Sequence, residues 1–277
     1  MHFVDPISQP EPLPSPLDPA QPAPINSRED AGVDLRDAGL VIAFAVVALF
    51  SCTFISEFIF SLVHRSQHLS PDAFVNAFSR NAFFQVPAEF AAYVLLMIYM
   101  AALVWRRHKT GLLQAIGWNA PGRRRILYAL MTGATLALVA DVGEIVLNPW
   151  IPQSLPITEY FRDRPSALLL GAFSILVAPL MEEIVFRGFI YPALARWTGV
   201  LSSIVVTALG FALLHGTQLG YSWALLLVIF VVGVALTVTR VVTKSVATCV
   251  IVHMAYNFVL FTQTYIQTHG FRHMQGV

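Results

Sequence analysis

Apolar runs separated by short polar breaks recur along the chain, at about 38–62, 83–105, 126–147, 167–186, 201–215, 222–239 and 245–264. Crossing a bilayer core takes about 20 mostly apolar residues in a helix. The pattern therefore predicts seven crossing helices. The fifth is short as counted, so its true start is expected before Leu201. An amphipathic piece around Asp72–Ser79 could supply an eighth helix. The expectation is an all-α, polytopic membrane bundle of seven or eight transmembrane helices, without internal repeats.

The two ends differ from this pattern. Eight of the 17 prolines fall between Pro6 and Pro24, and such a segment lacks the apolar content to pack. Residues 1–36 are read as a disordered Pro-rich tail, 37–160 as N-terminal transmembrane helices, 161–265 as a second transmembrane unit, and 266–277 as a short tail. The tail has no basic stretch followed by an apolar one, as a cleaved signal peptide would. Between Asn148 and Pro165 four prolines predict an irregular loop, with Trp150, Tyr160 and Phe161 as interfacial anchors.

Composition agrees. The chain of 277 residues is 56% hydrophobic and 12% charged, with mean hydropathy +0.66, against about 25% charged in a typical soluble domain. A net charge of +1 without a polybasic run excludes a nucleic-acid surface. Cys52 and Cys249 lie in apolar runs and read as free, packed thiols. With seven crossings and a cytoplasmic N-terminus, 12 of the 17 Lys and Arg residues face the cytoplasm and five the other side. That bias favours this orientation.

Charged and polar residues inside the apolar runs are the chemical signal, because they are expensive in a bilayer and mark functional sites there. They read Glu182-Glu183-Ile-Val-Phe-Arg187, Phe211-Ala-Leu-Leu-His215 and His253-Met-Ala-Tyr-Asn257. Residues four apart share a helix face, so Glu183 and Arg187 can pair. Glu182 is turned about 100° away and is left as the reactive carboxylate. Phe211 can pack on His215, and His253 and Asn257 stand one turn apart. Taken singly, each group also fits a structural role: a boundary ion pair, a histidine bonding a neighbouring helix, or polar glue between helices. Three clusters on three helices are met most simply by one shared cavity. A carboxylate, two imidazoles and an amide can activate water, protonate a leaving amine and stabilise an oxyanion.

These motifs, EExxxR, FxxxH and HxxxN in this order, resemble the CAAX protease and bacteriocin-processing family of intramembrane endopeptidases, over roughly Ala167–Leu260. The resemblance implies hydrolysis of a peptide bond in a membrane-associated or prenylated CAAX-type protein, or in a peptide precursor. It implies Glu182 as the group that activates water, His215 as its partner, and His253 and Asn257 as the pair that binds the oxyanion or orients the carbonyl. Glu183, Arg187 and Phe211 would support the site. Zinc is possible, with Glu182, His215 and His253 as ligands. A metal-free mechanism is preferred, because zinc would occupy the carboxylate that must serve as base. The partners implied are a peptide or membrane-protein substrate and the lipid bilayer, in the inner membrane if the host is bacterial.

Two readings from other classes compete: a non-proteolytic membrane scaffold with the same fold, and a proton-coupled transporter. Glu57, Glu89, Asp141 and Glu144 keep the latter open, although related halves are lacking. A common site also requires matching depths. Counted from the cytoplasmic end, His215 lies about 21 Å deep, His253 about 13 Å and Glu182 about 6 Å. The fourth helix is therefore expected to run past Arg187 to about Tyr191, and the fifth to start near Ala195.

Overall fold

The computed structural model describes residues 32–65, 69–160 and 163–272. The Pro-rich tail through residue 31 lies outside them. The helices are α1 (Leu35–Val63), α2 (Pro71–Ser79), α3 (Ala82–His108), α4 (Leu112–Ala115), α5 (Arg123–Leu147), α6 (Arg164–Leu176), α7 (Ala178–Glu183), α8 (Tyr191–Thr198), α9 (Val200–Leu214), α10 (Trp223–Thr243) and α11 (Val246–Gln267). Among the described residues there is no strand, and six helical stretches are long and apolar enough to cross a membrane. α9 is a seventh, shorter apolar helix. The protein is an all-α, multi-pass membrane bundle. At nine residues, α2 is too short to be a further crossing.

The start of α1 is held firmly. Asp34 caps the helix by accepting from Asp37 N–H at 2.8 Å, and Asp37 accepts from Asp34 N–H at 3.0 Å. Arg107 at the end of α3 pairs with both carboxylates, at 2.9 and 2.8 Å, and His108 Nε2 lies 2.8 Å from Asp37. Arg196 of α8 donates to the Val33 carbonyl at 3.0 Å. Val33 is itself buried in the core with Ile184 and Phe189. Residues 32–36 thus belong to the folded body, not to the tail that composition assigned them to. At the other terminus α11 runs to Gln267, and Phe271 is buried against Phe261 and Tyr265. The expected tail from 266 is folded through Arg272.

α11 is the central helix, with half of its apolar window buried, the largest share of the six. It packs on α5, α10 and the α6–α7 stretch, while α3 packs on α1 and α6. Gly133 makes the α5 contact possible: a Cβ there would collide with the Val252 carbonyl and the Ala255 methyl. Lipid gives two apolar helices little reason to associate, so close backbone approach through small residues takes over.

The span carrying the carboxylates is continuous but irregular. Pro179 lacks an N–H, and the α-helix is interrupted at Val177 between α6 and α7. Ile184–Ile190 then winds as a π-helix before α8. Helix therefore continues past Arg187 and beyond the expected Tyr191, to Thr198. The companion expectation, that α9 begins near Ala195, is corrected: it begins at Val200. Gly199 adopts φ +83°, a left-handed-side conformation that ends α8 and starts a new helix.

Candidate active site

Successive residues on a helix point about 100° apart, and Glu182 and Glu183 diverge accordingly. Glu183 points into the bundle and is fully buried, as is Arg187. Arg187 Nη1 donates to Glu183 Oε1 at 2.8 Å. The other guanidinium arm donates to the Gly233 carbonyl of α10 at 2.9 Å. The guanidinium also lies over the Phe211 ring, 4.8 Å from its centroid. One arginine thereby joins α7, α9 and α10, and its charge is met by a carboxylate, a carbonyl and a π face. Arg240, also buried, donates from Nε to the Arg187 carbonyl at 3.2 Å.

His253 comes from α11. Its Nδ1 lies 2.8 Å from Glu183 Oε1. The acceptor is a carboxylate, so Nδ1 carries the proton of that bond, which leaves Nε2 to face Glu182. Nε2 and Glu182 Oε2 are 3.7 Å apart. The Glu182 side chain is 21% exposed, against zero for Glu183, and this difference separates an accessible carboxylate from a fixed one.

His215 closes α9. Its Nδ1 donates to the Phe211 carbonyl one turn back, at 2.9 Å, and its ring lies 4.8 Å from the Phe211 ring. Phe211 also meets His253 edge-on at 5.8 Å. Phe211 therefore sits between the two imidazoles and under Arg187. Asn257 is one turn beyond His253, but its Nδ2 donates to the Ser174 carbonyl of α6 at 2.7 Å. The structure thus brings Glu182, Glu183, Arg187 and His253 into one cluster. It connects His215 to them through Phe211 and engages the Asn257 amide with α6. Among the described residues, no group of three His, Cys, Asp or Glu side chains is gathered as a metal-ligand set.

Other candidates lie elsewhere. Asp141 accepts from Gln263 at 2.7 Å, and Glu144 is exposed. Cys52 and Cys249 are free and buried. An apolar groove of about 360 Å³, lined by Leu130, Ala134, Ile175, Met254 and Phe258, opens beside the His253–Asn257 turn. One contributor escaped the motif reading: Arg240 is a buried cation in the last turn of α10 and carries no motif. Glu89, on α3, accepts from Tyr93 Oη at 2.8 Å.

Residues 164–259 match the family model described as type II CAAX prenyl endopeptidase Rce1-like. This stretch of the chain is similar to the domain of that family. The match begins at the first residue of α6 and ends within α11, so all three motifs fall inside the endopeptidase domain. At family level the match supports a membrane protease of the CAAX type. Comparisons with curated proteins and with solved structures give no match.

Proposed function

We propose that the protein is an intramembrane endopeptidase in which Glu182 activates water for attack on a peptide bond. The observation that carries this reading is the different treatment of two adjacent carboxylates. Glu183 is committed to Arg187 and His253, while Glu182 remains accessible, with His253 Nε2 at 3.7 Å. A water lying beside both Glu182 and Nε2 can bond to each at once. Glu182 takes its proton as the oxygen attacks the carbonyl carbon. Glu183 fixes the tautomer and orientation of His253, so that its Nε2 holds the water in line.

His215 has Nδ1–H committed to the Phe211 carbonyl, and its Nε2 can accept from water or from a substrate N–H. Asn257 holds α6 against α11 through its bond to the Ser174 carbonyl. The substrate fitting this setting is a membrane-associated peptide or a prenylated CAAX-type protein, whose apolar part stays in lipid while the scissile bond reaches Glu182. The proposed orientation places the N-terminus, and the end of the bundle bearing Arg107 and Arg240, in the cytoplasm.

The test compares membrane peptidomes of cells making the wild type and the Glu182→Ala variant at equal abundance. Peptides that depend on Glu182 support the hydrolase. Identical peptidomes with preserved biological activity point to the scaffold instead.

A further inference from the structure

Pro192, just beyond the π-helix, takes away a hydrogen bond that Arg240 gives back. In a π-helix the carbonyl of residue i accepts from the N–H of residue i+5. For Arg187 that residue is Pro192, which has no N–H. The donor one position earlier, Tyr191 N–H, bonds the Phe186 carbonyl instead. The Arg187 carbonyl is therefore denied both main-chain donors of the next turn, in a residue that is fully buried. A buried carbonyl left without a donor is destabilising. Arg240 Nε supplies the bond, at 3.2 Å, from the last turn of α10. The guanidinium is itself held, since its Nη2 donates to the Ile116 carbonyl at 3.4 Å. Ile116 is fully buried and seated on the π-helix at Gly188, where a Cβ would come within 3.0 Å of the Ile116 Cβ. The same stretch is tied to the α10–α11 turn, by Val246 N–H to the Gly117 carbonyl at 3.2 Å and by Asn119 Nδ2 to the Lys244 carbonyl at 2.9 Å. Arg240 is thus fixed between the α4–α5 connection and the π-helix.

We propose that Arg240 is a positioning residue for the reaction: by serving the carbonyl that Pro192 leaves without a donor, it holds the π-helix in the winding that directs Glu182 and Glu183. The role rests on the hydrolase reading above. Without Arg240, the Arg187 carbonyl competes with the Phe186 carbonyl for Tyr191 N–H. Tyr191 cannot serve both well, so the π winding shifts towards the glutamates. Arg187 then moves relative to Glu183, Glu183 relative to His253 Nδ1, and Glu182 relative to His253 Nε2, the three contacts that define the site. Arg240 acts through one backbone bond and not on the reacting atoms.

The test uses the full chain in nanodiscs and, as substrate, the precursor of a peptide that Glu182→Ala abolishes. Arg240→Met removes the donor and keeps much of the apolar stem. Its kcat should fall about 10²-fold, the scale expected of a misplacement of about 1 Å, with KM unchanged. Pro192→Ala returns a main-chain N–H to the position that serves the Arg187 carbonyl. Added to Arg240→Met, it should restore most of kcat, and Arg240→Lys, with a single amine on a flexible stem, should fall between the two. Wild-type kcat in a folded Arg240→Met protein would overturn the proposal. So would a rise in KM alone, or a double variant as slow as Arg240→Met. If Arg240→Met yields no folded protein, the comparison is read as recovery of folded, active protein in the double variant, and no recovery overturns the proposal equally. If Glu182→Ala alters no peptide, the hydrolase reading falls and takes with it the reaction that Arg240 would serve. A Glu182-dependent peptide that forms normally in Arg240→Met sinks the positioning role alone.

Discussion

His253 Nδ1 and Glu183 Oε1 lie 2.8 Å apart, and both side chains are almost wholly withdrawn from solvent. The same carboxylate oxygen receives Arg187. Two donors on one oxygen, from one's own helix and from α11, bind the centre of the domain together. Removing the acceptor leaves a buried guanidinium unpaired, which typically costs about 3–5 kcal/mol. Glu183→Ala should therefore abolish a cooperative thermal transition in detergent. Glu182→Gln should unfold within about 1 kcal/mol of wild type while losing cleavage.

Asn257 makes one interhelical hydrogen bond, to the Ser174 carbonyl. Such bonds in membrane bundles contribute about 0.6 kcal/mol and at most about 1.7. Asn257→Ala should lower thermal stability by that modest amount. A much larger fall in cleavage rate than in stability would show that the carboxamide also meets the substrate.

Gly133 faces the Val252 carbonyl and the Ala255 methyl across the α5–α11 contact. Gly133→Leu must push the two backbones apart. A loss of at least about 1–3 kcal/mol is expected, visible as loss of the monodisperse peak in size-exclusion chromatography. Gly39, where a Cβ has open space, is the control.

Asp34 accepts the Asp37 backbone N–H, which, with Arg107 beside it, holds its carboxyl below the ordinary aspartate range despite partial burial. A depressed folded value means that the charged form stabilises the fold. That stabilisation is fully present above about pH 3.9, the unfolded value, and is lost as pH falls through the lower folded value. Asp34→Asn keeps a capping side chain but removes the charge. It should unfold at a lower temperature than wild type at neutral pH, and the two curves should converge in strong acid.

Residues whose constraint is local were legible in advance. Periodicity placed the crossing helices, and four-residue spacing placed Glu183 on Arg187 and Phe211 on His215. Glu182 was separated from its neighbour by helix geometry alone. Partnerships set by tertiary packing were not legible. The Asn257 amide was expected at the reaction centre, yet it bonds Ser174, a residue with no distinguishing pattern. His253 was expected beside Asn257 as a substrate-facing pair and instead stands between the two glutamates. The α9 start was misplaced because a depth argument assumed regular helix, whereas Gly199 breaks the chain and the carboxylate-bearing span is wound unevenly. Arg240 had no motif to announce it, since it acts through the Arg187 backbone carbonyl.

The wide turn at Ile184–Ile190 has an evolutionary reading. A π turn is what remains when one residue is inserted into an α-helix and the ladder absorbs it without breaking. Excising one residue there should let the segment rewind as ordinary helix, with everything upstream rotated by about 100° relative to α8. The glutamates would swing off α11 while the protein still threaded the bilayer. Homologues that have shed this extra residue should therefore keep the bundle and forfeit its chemistry.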